Sequence, residues 1–102
     1  MNRIFLSDGT NRWFDQSVAT EYEEDTRFDG RNQISINTGS QWHHETVYRT
    51  SGGKWVLCEF SSYLDRPDRY GLLDSEDAAV WLARNGHKIP KSLTGYLPPL
   101  EI

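Results

Sequence analysis

The sequence holds a single cysteine, Cys58. One thiol excludes an intrachain disulfide and a cysteine-built zinc site. A small protein without disulfides is expected in the cytoplasm rather than outside the cell. Long apolar runs are also missing. The opening residues Met1-Asn2-Arg3-Ile4-Phe5-Leu6-Ser7-Asp8 contain an apolar run of only three, Ile4 to Leu6, so no signal peptide is expected there. No stretch approaches membrane-spanning length, so no membrane partner is expected. Bases are in the minority, 11 against 15 acids for a net charge of −4, which excludes the strongly basic footprint of a duplex-binding protein. No glycine-rich phosphate loop precedes a helix, since Gly52-Gly53 reads as a hairpin turn. Aliphatic residues are scarce as well. Leu, Ile, Val and Phe supply 22 of 102 residues, just above the roughly 20% below which chains tend to be disordered.

What the chain does have is aromatic volume: four Trp, five Tyr and four Phe. Disordered chains are poor in these, so an aromatic-rich core is expected, with Trp13, Trp42, Trp55 and Trp81 most simply placed inside it. The length suits one domain over residues 1–102, and area scaling gives a folded surface of about 6,000 Å². Charge is segregated. Residues 8–29 carry seven acids and two bases, whereas residues 84–102 carry three bases and one acid.

Turn dipeptides recur through residues 1–73 (Asp8-Gly9, Asp29-Gly30, Thr38-Gly39, Gly52-Gly53), which favours strands and turns in an antiparallel sheet. Residues 3–7 and 12–14 read as short strands. Residues 19–28 alternate, with Thr20, Tyr22, Glu24, Thr26 and Phe28 on one face and Glu21, Glu23 and Asp25 among those on the other. Asp29-Gly30 then predicts a hairpin returning over residues 32–37, with Ile34 and Ile36 on one face. The clearest hairpin pairs residues 41–50 with 54–62. A two-residue loop, either Ser51-Gly52 or Gly52-Gly53, puts Trp42, His44, Thr46, Tyr48, Trp55, Leu57 and Glu59 on one face in both registers. Val47, Val56, Cys58 and Phe60 fall on the other. After a polar loop over 64–68 and a strand over 70–73 the period changes. Asp74 or Ser75 caps a helix over 75–85, and Gly86 stops it. An irregular tail follows over 87–102, in which Pro90-Lys91-Ser92-Leu93 starts one further turn and Leu97, Leu100 and Ile102 are apolar. The expected fold is therefore α+β: a four- to six-stranded antiparallel sheet, mostly a meander, with one C-terminal helix packed on a face.

Candidate chemistry is sparse. Strand alternation sends His43 and His44 to opposite faces, so they do not chelate one metal together, and no metal or cofactor is expected. His44 across from or diagonal to Glu59 makes a cross-strand ion pair, or the acid–base pair of a small enzyme or ligand binder. Cys58, beside His43 or Glu45, is a second nucleophile candidate, although a mid-strand thiol usually serves as a small apolar side chain. No catalytic residue is assigned. The acidic run Glu21, Glu23, Glu24 and Asp25 is the most unusual charge feature. It suits a partner protein with a basic surface, with Trp13 or Tyr22 as aromatic anchor. The same charges also guard an edge strand against aggregation. The basic stretch Arg84, His87, Lys88 and Lys91, with Trp81 and Tyr96, supports a third reading, contact with nucleic acid, although such bases also complement a helix dipole. An apolar tail and an open edge leave both monomer and homodimer in play.

The segments Thr38-Gly39-Ser40-Gln41-Trp42, Tyr48-Arg49-Thr50-Ser51-Gly52-Gly53-Lys54-Trp55-Val56-Leu57 and Ser75-Glu76-Asp77-Ala78-Ala79-Val80-Trp81-Leu82-Ala83-Arg84-Asn85-Gly86 resemble small uncharacterised bacterial proteins carried on phages, plasmids and genomic islands. The resemblance implies no active site. It implies service to a mobile element, as a regulator, an antitoxin-like binder or an inhibitor of a host defence or nucleic-acid-handling protein.

Overall fold

A computed structural model describes residues 1–62, 65–98 and 101–102, so the start of the expected 64–68 loop and Leu100 of the tail lie outside the described residues. The chain is α+β. A four-stranded antiparallel sheet runs in the order β3 (Thr20–Glu23), β6 (His43–Arg49), β7 (Trp55–Ser61) and β8 (Arg69–Leu73). The last three form a meander. Two short antiparallel ribbons, β1 (Arg3–Phe5) with β2 (Trp13–Asp15) and β4 (Thr26–Phe28) with β5 (Gln33–Ser35), stand beside it. The helix α1 is Ser75–Arg84, and short 3₁₀ turns cover Gln16–Val18 and Lys91–Tyr96.

The helix forms where its local signals place it. The Asp74 carboxylate accepts the Asp77 N–H at 2.7 Å, and Glu76 and Asp77 stand in the positive first turn. At the other end Gly86 adopts φ 75°. The His87 N–H then reaches the Leu82 carbonyl and the Gly86 N–H reaches that of Ala83, the paired bonds of a Schellman stop. Ala78, Ala79, Trp81 and Leu82 form the buried stripe.

Both faces of the sheet are covered. On one, α1 and the 3₁₀ turn bury Val47, Trp55, Leu82 and Leu93, with Tyr22, Leu57 and Ile89 packed around them. On the other, the β1–β2 ribbon brings Leu6 and Phe14 onto Tyr48, Val56 and Cys58. Each fully buried aliphatic side chain contributes roughly 1.5–3 kcal/mol. Leu93 confirms the further turn after Pro90, whereas Ile102 is fully exposed. The surface is 6972 Å², larger than scaling anticipates.

Three expectations are corrected. First, the central hairpin closes through a three-residue loop. Thr50 and Lys54 face each other, with the Thr50 N–H on the Lys54 carbonyl at 2.8 Å. The observed pairs, Arg49 with Trp55 through His43 with Ser61, lie one residue away from both two-residue registers. A one-residue slide exchanges faces. Val47 therefore shares a face with Trp55 and Leu57, and Tyr48 shares one with Val56 and Cys58. Gly53, at φ 79°, takes the left-handed position that a turn with a following bulge requires. Second, residues 19–28 are not one strand. The chain leaves the main sheet after Glu23 and resumes as β4 in a separate ribbon, and the return strand is only Gln33–Ser35, leaving Ile36 exposed. Third, only two of the tryptophans are core. Trp55 and Trp81 are buried, whereas Trp13 and Trp42 are 46% and 44% exposed. On β2, Phe14 takes the inward side, and alternation leaves Trp13 outward, where the Arg3 guanidinium lies 4.3 Å over its ring.

Candidate functional site

The acidic run lies on the open edge of the main sheet, where β3 pairs only with β6. Glu21 stands opposite Tyr48 and Glu23 opposite Thr46, so both carboxylates leave the same face, about 7 Å apart by strand geometry. Both are exposed. Among the described residues neither has an ion-pair or hydrogen-bond partner for its carboxylate.

The other members of the expected site go elsewhere. Tyr22 faces the helix side, half-buried, with its ring 5.6 Å from that of Trp55 and edge-on to His87 at 5.3 Å. It packs against the core rather than standing out as an exposed anchor. Trp13 is exposed but belongs to β2, on a different ribbon. Asp25 does not extend the row of Glu21 and Glu23, because the strand ends at Glu23. The Asp25 N–H is held by Asn85 Oδ1 at 2.7 Å, and its carbonyl accepts the Ile36 N–H at 3.2 Å.

Glu24 departs furthest from expectation. Its side chain is 10% exposed and joins three segments. Oε1 accepts the Ser35 hydroxyl at 2.6 Å and the Glu45 N–H at 2.9 Å, and Oε2 accepts His44 Nδ1–H at 2.6 Å. Turning this carboxylate inward breaks the alternation of residues 19–28. His44 is thus paired with an acid, but with Glu24 and not Glu59. It stands opposite Phe60, its ring stacked at 5.5 Å, while Glu59 lies on the other face opposite Glu45. His44 Nε2 is 2.9 Å from the Gln41 carbonyl. Both ring nitrogens therefore point at oxygens that serve as acceptors. Ser62 Oγ lies 3.4 Å from Nε2, which superficially completes a Ser–His–Glu series. A nitrogen donating to a carbonyl has no lone pair to take a serine proton, so this geometry orients segments rather than activating a nucleophile.

Beside it, Asn85 at the end of α1 and Asn37 exchange side-chain amide bonds at 3.0 Å in both directions. Ser35 Oγ accepts the N–H groups of Asn37 and Thr38. These polar groups fasten the β4–β5 ribbon to the helix. Sequence reading missed Ser35, Asn37 and Asn85 as partners, since a contact across 48 residues leaves no local signal.

Cys58 is buried opposite Thr46, with Tyr70 on its other side, and has neither His43 nor Glu45 beside it. Burial pushes its thiol up to about 11, with a hydrogen bond from Tyr70 offsetting only part of that. The Tyr70 and Tyr48 hydroxyls are raised by the same burial. The Glu45 carboxyl is raised by burial and by the facing carboxylates of Glu59 and Glu24, against the pull of the Trp81 Nε1–H at 2.9 Å. Within the basic tail, Trp81 is buried and its ring stacks on His87 at 6.1 Å. His87 Nε2–H caps the Glu23 carbonyl at 2.6 Å. Both are thereby committed to the fold, leaving Arg84, Lys88, Lys91 and Tyr96 exposed. Among the described residues no group of three or more His, Cys, Asp or Glu side chains is arranged to hold a metal, and no helix is long and apolar enough to cross a membrane.

Comparison of the chain with protein-family models, with curated proteins and with solved structures finds no match.

Proposed function

We propose that this chain is a non-enzymatic protein-binding module of the cytoplasm that docks a basic protein surface on its β3 edge. The observation that carries the reading is the pair Glu21 and Glu23, exposed, without partners among the described residues, and set on a strand with one unpaired side. Such an edge offers two complementary features. The backbone groups on its unpaired side, apart from the Glu23 carbonyl that His87 caps, can pair with an extended segment, and its carboxylates speed and orient the approach of a cationic one. Asp25 is exposed but lies beyond the strand, with its carboxylate accepting the Thr26 N–H at 2.9 Å, so the docking row is Glu21 and Glu23. The action is steric and electrostatic blocking, which fits an inhibitor or regulator of a nucleic-acid-handling protein, as the resemblance to mobile-element proteins also implies. Glu24 has no part in it, because its carboxylate is spent inside the fold.

The test compares the wild-type chain with Glu21→Lys/Glu23→Lys as baits in the native host, with retained proteins quantified by mass spectrometry. The expected result is selective loss of basic proteins from the reversed bait. Charge-reversal of the captured partner should then restore binding to that bait. Equal retention on both baits would overturn the reading.

A further inference from the structure

A second surface, sharing no residue with β3, has the shape and chemistry of a small-molecule site. A cleft of about 850 Å³ opens between β2 with the turn after it, the Thr50–Lys54 loop and the junction of β8 with α1. Its floor is the buried core of Leu6, Phe14 and Val56. Its walls are Trp13, Val18 and Leu72, which stay 46%, 59% and 42% exposed. Large apolar side chains scattered singly on a surface are ordinary; gathered around one concavity they mark a binding surface. The volume falls in the range of about 300–1,000 Å³ typical of sites that enclose a small organic ligand.

The charged groups of the cleft define what that ligand carries. Four charged side chains line it: Arg12, Asp15, Lys54 and Asp74. Three are already engaged. The Arg12 guanidinium lies 3.2 Å from Asp8 and donates to Thr10. Asp15 accepts from the Asn2 N–H and from both the N–H and hydroxyl of Ser17. Asp74 caps α1. Only the Lys54 ammonium has no partner among the described residues. We propose that this cleft binds a small amphiphilic anion, with its aromatic body against Trp13, Val18 and Leu72 and its acid group on Lys54. The anion matches the one unengaged charged side chain, and a flat apolar body matches a cleft walled by an indole and two aliphatic side chains.

The test titrates the intact chain with 8-anilinonaphthalene-1-sulfonate and with N-phenyl-1-naphthylamine, the same aromatic skeleton without the charge. Fluorescence gives affinity, and amide NMR shifts locate the dye. The expected result is saturable binding of the sulfonate, with shifts confined to Trp13, the Thr50–Lys54 loop and the end of β8. Lys54→Gln, an exposed loop substitution that leaves the fold intact, weakens the sulfonate by about threefold and leaves the amine unchanged. Leu72→Glu weakens both by more than about tenfold. Non-saturating binding, shifts spread over the chain, or equal affinity of wild type and Lys54→Gln for the sulfonate would each overturn the proposal.

Discussion

Replacing Glu24 by alanine should damage the fold more than any other single change in the acidic run. The carboxylate accepts three hydrogen bonds, from Ser35, His44 and the Glu45 backbone, and is 10% exposed beside a His44 side chain that is 16% exposed. Hydrogen bonds to a charged group contribute roughly 1.5–3 kcal/mol each and do not add independently. Removing the carboxylate also leaves the Ser35 hydroxyl, the Glu45 N–H and His44 Nδ1 without their partner, and an unsatisfied buried polar group costs about 1–3 kcal/mol. The expected loss for Glu24→Ala is therefore about 3–5 kcal/mol, out of a total stability of roughly 5–15 kcal/mol for a domain of this size. Thermal unfolding should move down by at least about 12 °C. Glu24→Gln should cost less, about 1–2 kcal/mol. Its amide oxygen can still serve Ser35 and Glu45, and its NH₂ can turn to His44 Nδ1. Glu21→Ala and Glu23→Ala are controls and should stay within about 0.5 kcal/mol of wild type. Urea unfolding followed by circular dichroism measures all four. A double-mutant cycle with His44→Ala should show Glu24 and His44 to be coupled. A loss for Glu24→Ala no larger than for Glu21→Ala, or additivity with His44→Ala, would refute the assignment of Glu24 to the interior.

Glu45→Gln should stabilise the protein by roughly 0.5 kcal/mol at pH 7, since it removes a like charge facing Glu59 while keeping an acceptor for Trp81. The folded Glu45 carboxyl is raised, so its contribution is fully present below the ordinary carboxylate value of 4.5 and is lost as pH rises through the folded value. The advantage of Gln in urea unfolding should accordingly shrink as pH falls from the raised folded value to 4.5, and should be gone below that. Cys58, raised from 9.0 to about 11, should resist iodoacetamide at pH 8 until the chain unfolds, and its contribution to stability should fall away between those two values as pH rises. Rapid alkylation of the native protein would contradict its burial. Gly53→Ala should cost about 1 kcal/mol, because Gly53 holds φ 79°, whereas a methyl group on Gly52 meets only Thr50 Oγ1 at 3.8 Å and should be tolerated. Equal thermal melting of the two variants would argue against the three-residue loop.

What the sequence reveals and what it conceals follow from how far each determinant reaches along the chain. The helix is legible because its cap at Asp74, its acidic first turn, its buried stripe and its stop at Gly86 all lie within thirteen residues. The α+β class is legible for the same reason: turn dipeptides and one change of period are local signals. The central hairpin is legible as a hairpin but not in its faces. Both of its faces are covered, one by α1 and one by the β1–β2 ribbon, so each strand carries apolar residues on both sides and alternation cannot choose a register. The loop alone decides, and Ser51-Gly52-Gly53 permits two-residue and three-residue closures alike. The acidic run conceals most. Its residues alternate without a break through Glu24, but the groups that draw Glu24 inward are Ser35, His44 and Glu45, 11, 20 and 21 residues away. A carboxylate that receives three donors is worth more inside than on a solvated edge, and the strand ends there as a consequence. The charge that looked most like part of a binding row is thus the one that divides it. Glu21 and Glu23 stay on an open edge, and Asp25 passes to the ribbon that Asn85 fastens to the helix.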